Sequence, residues 1–194
     1  MKASPFGLLR FEEAYFERIW GGKKLEGILG KKTPAGKTIG EAWLISDHLQ
    51  HESVVAEGPL AGCTLRALLQ ENPEALLGAR AQPTHYGRFP LLLKLLDAAE
   101  PLSVQVHPDD ATAQRLGEPD TGKTEMWYVI DADPGAELIC GLDPAIRRDE
   151  MLKRLQEGSI ETALPRFHAP ARPTAFVTAG TVHAIGGGLV PAEI

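Results

Sequence analysis

Two imidazoles, a carboxylate and a carboxamide stand in this sequence on segments that alternate as β-strands do. In Ser103-Val104-Gln105-Val106-His107-Pro108, residues two apart share a face, so Ser103, Gln105 and His107 line one side and the valines the other. The same rule groups Lys123, Glu125 and Trp127 in a second stretch. It groups Thr181, His183 and Ile185 in a third, where Gly180 and Gly186-Gly187-Gly188 permit tight turns. Aimed into one cavity, Gln105, His107, Glu125 and His183 would suit a single Zn²⁺ and leave a position open to water or substrate. Ligand type alone also admits Mn²⁺ or Fe²⁺. A lone strand histidine usually packs or hydrogen-bonds without touching a metal. Several inward polar groups on otherwise apolar strands are different, because leaving them buried and unpaired would cost about a few kcal/mol each.

The elements that must position these groups are mostly short strands. Turn signals at Trp20-Gly21-Gly22 and Thr33-Pro34-Ala35-Gly36 predict an irregular or β-rich start. Residues 38–56 read as strands separated by a polar turn at Asp47-His48. Thr64 is placed to cap a helix over 65–71 that Pro73 limits, and a second helical piece follows at Glu74–Leu77, closed by Gly78. The apolar run from Phe89 to Asp97 fits a buried strand, and Leu102–His107 a further one, with a short helix after Pro108 through Ala113 to Leu116. Lys123–Ile130 and Ala136–Cys140 resume the β pattern. Ile146, Met151, Leu152 and Leu155 give an amphipathic helix within 144–156 that ends near Gly158, and 174–178 and 182–185 are strand-like again. This order argues for a mainly β barrel or sandwich with inserted helices, not a parallel α/β fold.

Composition narrows the partners. A net charge of -6 in 194 residues gives no electrostatic reason to expect nucleic acid or an anionic membrane, so an anionic substrate would need a local basic pocket. Cys63 and Cys140 form no paired motif and read as reduced, partly buried residues. Met1–Arg10 lacks the features of a signal peptide, and the apolar run 90–96, interrupted by Lys94, is too short to cross a bilayer. A cytoplasmic location is the expectation. His48, His51, His85 and His168 fall in polar or turn-rich surroundings and are expected at the surface.

The segments 103–110 (SVQVHPDD), 122–128 (GKTEMWY) and 180–185 (GTVHAI), with 19–25 (IWGGKKL) and 40–46 (GEAWLIS), resemble type I mannose-6-phosphate isomerases in their short bacterial form. The likeness spans essentially the whole chain. It implies a cupin-type (jelly-roll) β-barrel holding zinc through Gln105, His107, Glu125 and His183, with an active site near Lys123 and Glu193. Residues 1–194 would then form one cupin-type domain with an N-terminal β layer and helical insertions at about 64–78 and 144–157. Members of that family continue past Pro191-Ala192-Glu193-Ile194 into a second β-rich half that brings an arginine, which this chain lacks. An edge exposed there would favour a homo-oligomer.

The reaction so implied moves a proton between C1 and C2 of an open-chain sugar, interconverting mannose 6-phosphate and fructose 6-phosphate. It asks for a Lewis acid at the sugar oxygens and a base at the carbons. Lys123 and Glu193 are the expected catalytic groups, and Ser103 and Lys123 the expected contacts to the sugar phosphate. Two other readings share the same premise: a metal-holding cupin that binds a sugar or regulatory ligand without turnover, and an iron-dependent oxygenase.

Overall fold

The computed structural model describes residues 6–169 and 173–194, so the first five residues of the stretch read for a leader lie outside the described residues. In chain order the N-terminal elements are β1 (Ala14–Gly22), α1 (Lys24–Gly27), β2 (Ile39–Ile45), β3 (Asp47–His48) and β4 (His51–Glu52). There follow α2 (Leu65–Glu71), α3 (Pro73–Leu77), β5 (Leu93–Leu96), β6 (Gln105–Val106), α4 (Asp110–Leu116) and β7 (Glu125–Ala132). The chain continues through β8 (Glu137–Cys140), α5 (Arg148–Glu157), β9 (Arg166–His168), β10 (Thr174–Val177), β11 (Val182–Ile185) and β12 (Leu189–Glu193).

Hydrogen bonding orders these strands into a six-stranded sheet, β1-β2-β5-β12-β7-β10, a four-stranded sheet, β6-β11-β8-β9, and the β3-β4 hairpin. The pairings within all three are antiparallel. Among the described residues no ladder joins the two larger sheets into a closed ring; side chains join them instead. Leu96, Trp127, Val129, Val177 and Leu189 of the large sheet pack with Leu138 and Ile185 of the small one. The large sheet is covered on its other face too, where Ala42 and Leu95 meet Leu25 of α1. Adjacent Leu95 and Leu96 therefore serve opposite cores, as the two-residue period of a strand dictates. Burial on both faces explains why the run around β5 reads as continuous apolar sequence. The mainly β architecture with a few inserted helices expected from the sequence is what the chain adopts, with two packed sheets in place of a closed barrel among the described residues.

Local rules place the helices well. The Thr64 hydroxyl accepts from the Ala67 N–H at 3.1 Å, Gly78 closes α3 with φ 72°, and Gly158 ends α5 in the left-handed region. The inserted helix begins later than its apolar pattern, at Arg148. Several strand boundaries shift as well. Asp47-His48 is itself paired strand, so the turn falls at Leu49-Gln50. Of the two long strands expected over 89–97 and 102–107, only 93–96 and 105–106 make ladders.

Two strands were hidden. β1 runs through Gly21 and Gly22, read above as a turn. Gly21 lies against the Ile39-Gly40 backbone, where a Cβ would come within 2.6 Å of the Gly40 nitrogen, so close approach of β1 and β2 is what requires glycine. β12 carries Pro191, which speaks against a central strand, yet it sits between β5 and β7. The register shift between Val190 and Pro191 absorbs the missing N–H. Gly21→Ala is expected to destabilise the chain by about 2 kcal/mol through this backbone clash. Gly27→Ala, at an exposed helical position with open space around it, is expected to be neutral or stabilising. Denaturant unfolding of the two variants checks both.

Candidate metal centre

The inner face of the large sheet carries charges where a core would ordinarily continue. Strand register puts Glu193 of β12 opposite Lys94 of β5 on one side and Trp127 of β7 on the other, and Lys94 opposite Trp43 of β2. Lys94 Nζ stands 2.8 Å from Glu193 Oε1, and Lys123 Nζ donates to the same oxygen at 3.0 Å. Lys123 also pairs closely with Glu125 Oε1. Farther along, Glu41 of β2 accepts from Arg18 of β1 and, at 2.6 Å, from the Trp43 indole N–H. From β1 to β12 adjacent strands thus alternate in sign, through Arg18, Glu41, Lys94 and Glu193, whereas β7 adds a second carboxylate, Glu125, that Lys123 neutralises.

Glu125 opens β7 at the edge of this row and meets residues of the small sheet. In that sheet His183 on β11 is registered opposite Gln105 on β6, and His107 follows just beyond. One ligand atom each of His107, Glu125 and His183 lies within 4.8 Å of the others. Glu125 Oε1 is 3.6 Å from His107 Nε2, and Oε2 is 3.2 Å from His183 Nε2. Trp127 packs edge-on against the His183 ring at 5.4 Å.

The tautomer of His183 decides what that last distance means. Its Nδ1 lies 2.8 Å from the Thr181 carbonyl oxygen. A carbonyl only accepts, so Nδ1 carries a proton, and deprotonation of the ring leaves Nε2 with a free lone pair available to a metal ion. That lone pair faces Glu125 Oε2, a buried carboxylate oxygen with no hydrogen-bond donor. Two acceptors at 3.2 Å repel unless a proton or a metal ion lies between them, and the His107 Nε2 atom, 3.6 Å from the same carboxylate, supplies the third donor that a metal ion would use. Backbone fixing of the outer ring nitrogen is also how metal-binding histidines are oriented. The donor set therefore fits a divalent cation held by His107, Glu125 and His183.

Charge states agree with this. Burial and the nearby Lys123 ammonium push the His107 pKa down to about 4, so the ring is neutral and available as a ligand at neutral pH. Burial would raise Glu193, but the charges of Lys94 and Lys123 outweigh it and bring the carboxyl down to about 2. Burial and the neighbouring Glu193 push Glu125 upward against the pull of Lys123. Lys123 is held above its usual value because its two carboxylate partners outweigh desolvation.

All the residues singled out from sequence reach this region. Gln105, Ser103, Lys123, Glu125, His183 and Glu193 line one cleft of about 840 Å³. His107 opens instead onto a neighbouring cavity of about 830 Å³ that shares Gln105 and Lys123. Gln105 donates to the exposed Ser103 hydroxyl at 3.3 Å. Trp127 proves to be both core and cavity wall, 1% exposed and with an unpaired indole N–H. Cys140 packs into the main core, where burial raises its thiol, and behaves as a small apolar residue. His85 and His168 are exposed as expected, whereas His48 and His51 are half-buried, His48 being 2.9 Å from Asp120. Sequence reasoning missed Arg18, Glu41 and Lys94. Lys94 did leave a trace, as the one charge inside an apolar strand, which when buried demands a partner.

A family model described as phosphomannose isomerase type I, catalytic domain, matches residues 8–134. The chain belongs to this family. Over 186 residues it is 41% identical to the probable mannose-6-phosphate isomerase GmuF of Bacillus subtilis, covering 96% of this chain and 57% of that protein. It is 40% identical over 177 residues to the mannose-6-phosphate isomerase of Streptococcus mutans, covering 91% and 54%. The crystal structure of the mannose 6-phosphate isomerase from Bacillus subtilis superimposes with a TM-score of 0.85 at 37% identity, over 95% of this chain and 57% of that one. The chain thus spans a little over half the length of the relatives it matches. Type I phosphomannose isomerases are metal-dependent, in keeping with the His107, Glu125 and His183 group. Among the described residues no helix is long and apolar enough to cross a membrane.

The depressed His107 pKa has a measurable consequence. Between its usual value of 6.5 and about 4 the unfolded chain binds a proton on this ring that the folded chain does not. Folding stability of the metal-free protein should therefore fall as pH drops through that window. Chelator-treated wild type and His107→Gln, unfolded in denaturant at several pH values, should show the shallower slope in the variant.

Proposed function

We propose that this chain carries the zinc site and proton-transfer groups of an aldose–ketose isomerase that interconverts mannose 6-phosphate and fructose 6-phosphate. The observation that carries the reading is the convergence of ligand atoms of His107, Glu125 and His183 within 4.8 Å of one another beside a charged cleft. Gln105, His107, Glu125 and His183 are the ligands in this reading. When bound, Zn²⁺ supplies Lewis-acid polarisation of the sugar oxygens at C1 and C2.

The chain's own residues handle the proton. Glu193 is deprotonated at neutral pH because Lys94 and Lys123 hold it so, which leaves it in the right charge state to accept a proton but weak as a base. A sugar oxygen that drew either ammonium away would raise its basicity just when substrate arrives. Lys123, kept protonated by Glu193 and Glu125, is the donor that can follow charge onto a sugar oxygen. Ser103, exposed at the rim of the cleft, offers its hydroxyl to the substrate.

Zinc-loaded chain should convert mannose 6-phosphate to fructose 6-phosphate in a coupled assay. Glu125→Ala should abolish both zinc retention and turnover, while Lys123→Ala should keep zinc and lose about 10²–10⁴-fold in rate. A zinc-loaded chain stabilised by mannose 6-phosphate without any turnover would replace the isomerase reading with that of a sugar-phosphate-binding metal domain. Oxygen consumption by an iron-loaded chain would favour the oxygenase reading instead.

A further inference from the structure

The three ligand-bearing segments are tied to one another by hydrogen bonds outside the ladders. The Gly180 N–H donates to the His107 carbonyl at 2.7 Å, so the turn before His183 grips the backbone of another ligand directly. The Lys123 N–H donates to the Pro108 carbonyl at 3.0 Å, joining the approach to Glu125 to the same turn. The Ala179 N–H donates to the Thr124 hydroxyl at 3.2 Å and closes the triangle. Only one side chain from the 107–110 turn takes part. Asp110 Oδ1 accepts from the Gly122 N–H at 2.8 Å. Gly122 is seated so tightly there that a Cβ would come within 2.4 Å of the Asp109 carbonyl carbon and the Asp110 nitrogen.

We propose that Asp110 is a positioning residue for the metal centre, fixing the separation of His107 and Glu125 by docking the 122–124 segment onto the 107–110 turn. The inference rests on His107, Glu125 and His183 being metal ligands. Asp110 lines the cavity onto which His107 opens, with its Oδ1 engaged by the Gly122 N–H. Its carboxylate holds Gly122, Gly122 lets the two backbones close to contact, and the resulting Lys123–Pro108 bond sets where β7 begins and hence where Glu125 points. A ligand set held in place before the ion arrives binds it more tightly, because less ordering is left to do on binding.

Asp110 also lies in the first turn of α4, where any carboxylate is favoured by the helix dipole, and this supplies the competing structural explanation. Asparagine separates the two, since it keeps the acceptor for the Gly122 N–H and loses the charge. Zinc affinity, read by competition with a chromophoric chelator, should weaken about tenfold in Asp110→Ala and stay within about twofold of wild type in Asp110→Asn. Gly122→Ala, which forces the segments apart, should weaken zinc at least as much as Asp110→Ala. The melting temperature of each metal-free variant is measured alongside. The proposal is overturned if Asp110→Ala binds zinc as wild type does, or if Asp110→Asn is as impaired as Asp110→Ala, which would assign the effect to the helix. Wild-type chain that fails to bind zinc would instead sink the ligand reading on which this one stands.

Discussion

A carboxylate buried to 2% exposure between two imidazoles cannot be left to itself, and Glu125 is in that position. Lys123 neutralises one of its oxygens and nothing donates to the other. Removing a carboxylate from water costs several kcal/mol even after relaxation, and one ammonium on one side recovers only part of that. What remains is an oxygen that faces His183 Nε2 at 3.2 Å, on a ring whose other nitrogen is held by the Thr181 carbonyl. The two sheets meet around this defect. The small sheet delivers the imidazoles and the large one the carboxylate, so the gap between them has to stay polar while the packing of Leu96, Trp127 and Ile185 nearby stays dry.

That demand spreads sideways across the large sheet. Glu193 could not sit one strand away from Glu125 without cations, and Lys94 and Lys123 supply them. Glu41 repeats the problem two strands from Glu193 and solves it with Arg18 and Trp43. Antiparallel register puts these groups side by side on one face, so each substitution would leave a neighbour unpaired, and the cost would fall on the neighbour.

The clustering of His107, Glu125 and His183 was legible in the sequence because alternation is a local signal. Gln105 and His107, or Lys123 and Glu125, betray a shared face within a few residues of one another. The row of charges was not legible in the same way. Arg18, Glu41 and Lys94 lie on separate strands; Arg18 and Glu41 each alone read as solvated positions, Lys94 signals a buried charge without naming its partner, and register brings the three together. The hidden strands have a related cause. Gly21 serves a close contact with Gly40, and Pro191 serves a register shift against β7, yet both residue types signal turns to any local reading. Helix ends were read well because a cap such as Thr64 or Gly158 acts within its own turn.

Backbone and side chains divide the labour at the site. Where the ligands stand depends largely on main-chain bonds, Gly180 to His107 and Lys123 to Pro108, which no ligand in the cleft can compete for. Lys94 and Lys123, which face the cleft, are held by carboxylates, and an incoming anionic or hydroxyl-bearing molecule competes for them. A main-chain frame thus stands beside exchangeable ion pairs: the positions of His107, Glu125 and His183 are tied through the backbone, while the charge around Glu193 is set by side chains alone. Lys94 and Lys123 hold that carboxylate well below its usual range, so any molecule that drew either ammonium away would raise it.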